Sequence, residues 1–213
     1  MDENSVQNAL KELRKVISKR NFKQSIEVII SFKDIDMAKV PKLEQYINLP
    51  SGKIKQSKIC ALVGNESADS VTSADHVILS SDFGKYKEKS KIKKLARQYD
   101  YFIAQADMMP LIAQTFGRYF GPVNKMPSPK AGCVVPARTN IAPIVERLRN
   151  TVQIVANKNP FFMCGVGDES QKDEDLTKNI LSILSSAENI LPNGKNNIGK
   201  IYLKSTMSKA VKI

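Results

Sequence analysis

The chain has 213 residues, 42% of them apolar, which is enough for one large or two small domains with packed cores. Its 33 Lys and Arg against 21 Asp and Glu leave a net charge of +12, which favours a polyanion or an acidic membrane surface as partner. No apolar run reaches the roughly 20 residues that cross a bilayer, and three scattered cysteines with one histidine make a poor zinc set and suit a reducing compartment.

The first element is an amphipathic helix. Val6, Ala9, Leu10, Leu13, Val16 and Ile17 recur every three or four residues, with Ser5 as N-cap, and Lys11, Arg14, Lys15, Lys19 and Arg20 lie largely off the stripe. In NFKQSIEVIISF, Ile26, Val28, Ile30 and Phe32 alternate with Ser25, Glu27, Ile29 and Ser31, the pattern of a strand with one buried face. A second strand is expected around Tyr46 to Leu49 before Pro50, Ser51 and Gly52 end it.

From Lys58 the texture changes. KICALV and HVILS read as short strands, KYKEKSKIKKLARQY as a helix, DYFIAQ as a third strand, and DMMPLIAQTFGRYF and NIAPIVERLRNT as helices. Between the last two lies a Pro- and Gly-rich loop, GPVNKMPSPKAGCVVP. Strands alternating with helices imply a parallel, helix-covered sheet. After residue 151 come two strands around Asn157-Lys158-Asn159-Pro160, an amphipathic helix opened by Asp173, Glu174 and Asp175, and a last strand in IYLKSTMSKAVKI.

The N-terminal piece is too small to hold a core alone. The economical architecture has two domains: a split α+β domain built from both termini (1–57 and 151–213), and an inserted Rossmann-like α/β domain (58–150). Two connecting strands would act as a hinge, and the final strand would lie near the first.

A nucleotide- or cofactor-dependent enzyme on the α/β domain is the alternative. GNESADS after KICALV carries neither G-x-G-x-x-G nor a Walker loop, and Gly165-Val166-Gly167 has no helix directly after it, so it reads as a tight turn. His76 beside Asp75 is the only candidate base, without a nucleophile elbow near it. Asp34/Asp36 and Asp173/Asp175 read as loop and helix-start chemistry.

What the sequence does carry is basic charge in three places: the first helix and its exit through Lys23, the segment 85–97, and the tail after Glu188. Two of them belong to the pieces that form the split domain, so they converge on one surface. Between them stand Phe22, Ser25, Ser205, Thr206 and Met207, side chains able to bond phosphate, ribose and base edges or to lie against a base.

RNFKQSIEV, DYFIAQADMMPLI, FGPVNKMPSPK, NIAPIVERLRNTVQI and KSTMSKAVKI together resemble the L-one stalk family of large-subunit ribosomal proteins in its archaeal form, across essentially the whole chain. The resemblance implies a split domain with a Rossmann-like insertion, no enzyme activity and no cofactor or metal. It implies a cytoplasmic, ribosome-associated monomer that binds large-subunit rRNA at the mobile stalk, assists release of deacylated tRNA from the exit site, and represses translation of its own mRNA.

Position by position, the family's RNA-binding residues fall on Glu12, Phe22 and Ser25, and on Lys204, Ser205, Thr206, Met207, Ser208 and Lys209. Ser208 and Lys209 replace a family Gly-Pro. Lys125, Met126, Pro127 and Lys130 mark a tRNA-side loop. There Val123-Asn124 stands where the family usually has Arg-Gly.

Overall fold

A computed structural model describes residues 3–37, 42–53, 55–66, 71, 73–137, 139–157 and 159–213. The chain divides into two units, one of residues 1–55 with 151–213 and one of residues 56–150.

The first unit is built on an antiparallel sheet. β1 (Ser25–Phe32) pairs on one side with β8 (Phe161–Asp168) and on the other with β9 (Ile198–Ser205), which in turn carries β10 (Val211–Lys212). The period-two pattern in β1 makes this possible: Ile26, Val28, Ile30 and Phe32 all point inward and are buried. They meet Val6, Ala9, Leu10 and Leu13 of α1 (Glu3–Val16) and Leu176, Ile180, Ile183 and Leu184 of α5 (Asp173–Ile190). Ser5 lies within α1 and is not its N-cap, the helix already including Glu3, whose carboxylate suits the positive helix end.

β7 (Thr151–Ala156) and β8 follow each other in sequence but do not pair. β7 pairs with β2 (Leu43–Asn48) in a second, two-stranded sheet. Buried Asn179 of α5 stitches these parts: its Oδ1 accepts from the Ser51 amide (3.0 Å) and its Nδ2 donates to the carbonyls of Val166 (2.9 Å) and Gly52 (3.3 Å). Opposite strands place Glu44, Tyr46 and Gln153 together: Gln153 Nε2 donates to Glu44 Oε1 (2.6 Å) and to the Tyr46 hydroxyl (3.0 Å).

The second unit holds a parallel sheet in the order β4-β3-β5-β6, with β3 (Ile59–Val63), β4 (His76–Leu79), β5 (Tyr101–Gln105) and β6 (Val134–Val135). Every residue of β3 is buried, as expected of a parallel strand covered on both faces. Cys60, Leu62, Phe102 and Ala104 face a core with Phe116 and Phe120 of α3 (Met109–Phe120) and with Ile92, Leu95 and Ala96 of α2 (Lys89–Gln98). α4 (Ala142–Arg149) buries Val145 and Leu148.

The single helix expected over 85–99 is broken. Residues Ser80–Lys87 form a tighter 3₁₀ run, Tyr86 leaves helical geometry (φ −95°, ψ 40°), and Glu88 is extended before α2 begins. The expected loop over 121–136 also contains β6. The final segment is not one strand but a hairpin, with residues 206–210 turning β10 back onto β9. Of the GNESADS segment, residues 67–70 lie outside the described residues.

All three cysteines are free and buried, and burial pushes the thiols of Cys60 and Cys164 up to about 12 and that of Cys133 to about 11. Among the described residues no helix is long and apolar enough to cross a membrane, and no group of three or more His, Cys, Asp or Glu is placed to hold a metal.

Candidate nucleic-acid interface

The turn after β9 is clasped to the start of β1. The Ser25 amide donates to Thr206 Oγ1 (3.1 Å), and the Thr206 amide donates to the Ser25 carbonyl (3.1 Å). The turn also closes on itself: the Ser208 amide donates to the Ser205 carbonyl (3.2 Å), and Ser208 Oγ accepts from the Ser205 amide (2.9 Å) and donates to the Lys209 carbonyl (3.0 Å). Positive φ at non-glycine residues occurs, among those described, only at Asp34 and Asn124. Ser208 therefore needs none of glycine's freedom, and its hydroxyl supplies bonds that glycine lacks.

Gln24 sits under this turn, 1% exposed. Its Nε2 donates to the Ser18 carbonyl at the exit of α1 (2.9 Å), and its Oε1 accepts from Ser205 Oγ (2.9 Å) and the Met207 amide (3.2 Å). Its backbone carbonyl accepts from the Glu169 amide (3.0 Å). One buried amide thus sets the helix exit and the C-terminal turn in fixed relation. Sequence reasoning passed over Gln24, because an isolated glutamine before a strand has no signature until its partners 180 residues away are known.

Phe22 is 50% exposed and Met207 57% exposed. Neither is core, so a phenyl ring shortly before β1 and a thioether in the clasped turn both stand in solvent, and each is suited to lie against a base or ribose. Lys209 is exposed, whereas half-buried Lys204 stands opposite Glu27 across the strand pair. Glu12 is exposed on α1 and makes no hydrogen bond or ion pair among the described residues, so no such contact joins it to the turn.

Arg14 is committed elsewhere. Its guanidinium meets Asp173 (2.6 Å) and donates to the carbonyls of Glu169 (3.0 Å) and Gln171 (2.7 Å), pinning α1 to the start of α5.

A cleft of about 510 Å³ opens beside Ser25, lined by Lys23, Lys53, Lys55, Gly165, Gly167 and Asp168. Sequence reasoning did not single out Lys53 and Lys55, and took the two glycines only as a turn. Both glycines lie on β8, for different reasons. A Cβ on Gly167 would collide with Gln171 Oε1 and stand 2.6 Å from Leu176 Cδ2, so any side chain there forces both of these side chains to move. Gly165 has nothing within 4 Å of that position, and a side chain there would project into open space.

In the second unit, the loop expected from the sequence to face tRNA is largely structural. Lys125 Nζ donates to the carbonyls of Tyr99 (2.7 Å) and Ala96 (2.9 Å), capping the C-terminal end of α2, with Asp100 at 4.0 Å. Met126 packs against the core and Pro127 is buried, leaving Lys130 as the exposed member of the four. Asn124 keeps the left-handed geometry (φ 54°) where the family pattern has glycine, because asparagine tolerates it better than most residues.

The crevice where open α/β sheets hold nucleotides lies beyond the carboxyl ends of the strands, where the strand order reverses. Here that point is between β3 and β5. Buried Gln105 fills it, its Oε1 accepting from the Gly64 amide at 2.5 Å. This argues against the enzyme alternative.

Residues 11–209 match the model of the ribosomal protein L1p/L10e family. The chain belongs to that family. Among its relatives are the large ribosomal subunit proteins uL1 of Pyrococcus horikoshii (39% identical, covering 100% of this chain and 96% of the relative) and of Methanocaldococcus jannaschii (37%, 100% and 96%). The uL1 protein of Methanothermococcus thermolithotrophicus is 36% identical over 100% of this chain and 99% of its own. As a member of the L1p/L10e family, the chain presents on its split unit a set of exposed aromatic, thioether, hydroxyl and lysine side chains around a fixed turn.

Proposed function

We propose that this protein is a non-catalytic structural constituent of the large ribosomal subunit and binds large-subunit rRNA through the clasped end of its split unit. Phe22, Ser25, Thr206, Met207 and Lys209 touch the RNA in this reading, and Lys23, Lys53 and Lys55 line the adjacent phosphate-binding cleft. The observation that carries it is the exposure of Phe22 and Met207, the one two residues before buried Gln24 and the other in the turn that Gln24 holds. An exposed aromatic and an exposed thioether near Lys23 and Lys209 supply the stacking faces and phosphate contacts that RNA binding uses. Fixing the turn during folding removes ordering entropy that binding would otherwise have to meet, about 1–2 kcal/mol per backbone residue.

The same surface serves to bind a similar structure in the protein's own mRNA and repress its translation. The second unit assists release of deacylated tRNA from the exit site, with Lys130 as the loop's contact. The resemblance stated from the sequence is what supports these two roles.

Phe22→Ala tests the reading. The variant is expected to melt with the parent and to bind an rRNA stalk fragment more weakly by about 1–3 kcal/mol, the range for a lost base stack. An unchanged affinity, or a melting point that drops with it, would remove Phe22 from the interface.

A further inference from the structure

A second cleft, of about 650 Å³, lies in unit 56–150 beside the edge strand β4, between the 3₁₀ run Ser80–Lys87 and α2. None of the residues singled out for RNA binding lines it. Its walls include His76, Tyr86 and Tyr99 with Lys85, Lys91 and Lys94. The His76 and Tyr99 rings stack nearly parallel, with centroids 5.7 Å apart and planes 10° apart. Tyr99 is buried and packs edge-on against Phe102, so it is a fixed backing. His76 is exposed. A π surface is thereby held flat at the wall of an open cleft.

The charges around it are unequal. Asp82, the one acid in the lining, is paired with Lys85 (2.6 Å), and Lys91 meets Glu88, outside the lining, in an exposed pair (3.3 Å). Lys94 has no acidic partner among the described residues. Lys91 and Lys94 are three residues apart on α2 and so share a helix face, one turn apart.

We propose that this cleft is a second RNA site, which takes a single-stranded segment with a base on the His76–Tyr99 tier and its phosphates on Lys91 and Lys94. The proposal rests on the reading that the protein works on RNA. A paired base has no free face for the imidazole, which selects single strands over duplex. A mononucleotide pocket of the α/β type is not the right class, because both rings stand at the amino ends of parallel strands, His76 opening β4 and Tyr99 preceding β5. An acidic peptide would use the lysines and leave the stacked rings without a role.

His76 is the protein's only histidine, so its imidazole proton resonances report on this cleft alone. Titrating hexa-adenylate RNA into the full chain at low salt is expected to shift them saturably, with the shift reversed at high salt. The double variant Lys91→Gln, Lys94→Gln is expected to weaken that binding about tenfold, 1.4 kcal/mol. Polyphosphate of equal charge and hexaglutamate are expected to move the imidazole far less. No response to the RNA overturns the proposal, as does a polyphosphate or peptide response equal to it. The same titration on Phe22→Ala is expected to match the parent. If Phe22→Ala fails to weaken rRNA-fragment binding while the imidazole shift persists, the clasp reading falls and this site stands. Loss of the imidazole shift in Phe22→Ala would show that His76 does not report a separate site.

Discussion

The two units treat their sheets in opposite ways. In unit 56–150 a parallel sheet is sealed between layers of helices, and its central strand β3 is apolar at every position. In the split unit an antiparallel sheet buries one face under α1 and α5, and its other face carries side chains such as Met163 (58% exposed), Phe161 and Tyr202. The alternation of β1 and the continuous apolarity of β3 are the sequence forms of that difference. Their candidate RNA-binding loops differ too. The turn at 205–208 is fixed from beneath by Gln24 and so frees Met207 and Lys209 to face outward. The loop at 121–130 fixes itself with its own functional-looking residues, Lys125 foremost.

The largest effect should come from Gln24→Leu. It leaves the buried Ser205 Oγ without its acceptor, a cost of about 1–3 kcal/mol, and removes the bonds to the Ser18 carbonyl and the Met207 amide, which sit on exposed residues and gain water instead, so the split unit should lose roughly 2–3 kcal/mol. Chemical denaturation followed by circular dichroism measures it. A loss under 1 kcal/mol would mean that the turn is held without Gln24.

In the other loop, Asn124→Val should cost unit 56–150 about 1–2 kcal/mol, because a β-branched residue resists φ 54°, whereas Asn124→Gly should stay near the parent. Equal destabilisation by both would show that the asparagine side chain matters more than the backbone conformation.

The smallest effect is acid sensitivity centred on Glu44. Burial alone would raise its pKa, but hydrogen bonds from Lys42 (3.0 Å), Tyr46 (2.9 Å) and Gln153 (2.6 Å) outweigh this and hold it below the ordinary value of 4.5. A carboxylate with a depressed pKa contributes stability that is present above pH 4.5 and lost as pH falls through its folded value. Glu44→Gln should therefore lower the midpoint of denaturation at pH 7 and flatten its decline below pH 4.5. Parallel pH profiles for parent and variant would exclude it.

The elements legible in the sequence were those with strong periodicity. α1, β1, β3 and α5 follow from spacing alone, and β9 beside β1 follows from asking where a small N-terminal piece finds its core. β6 has two residues inside a Pro- and Gly-rich stretch and shows no period. The break at Tyr86–Glu88 was hidden because the helix-period pattern of 92, 95 and 96 extrapolates smoothly backward. At the site, Phe22 and Thr206 stood out by residue type. Lys53, Lys55 and Gln24 did not, because their roles come mostly from partners and neighbours supplied by residues 151–207.

The pairing of β1 with β8 and β9 joins residues at least 130 positions apart. Unit 56–150 is contiguous, so its contacts close early, while the split unit has high contact order and must wait for both. On a chain emerging from synthesis, the sealed sheet can form before residues 198–208 exist. The clasp of Thr206 on Ser25 then acts as a completion mark: an interrupted chain holds a finished inserted unit but no Gln24-braced turn, and so lacks the surface on which the proposed rRNA contact of the split unit rests.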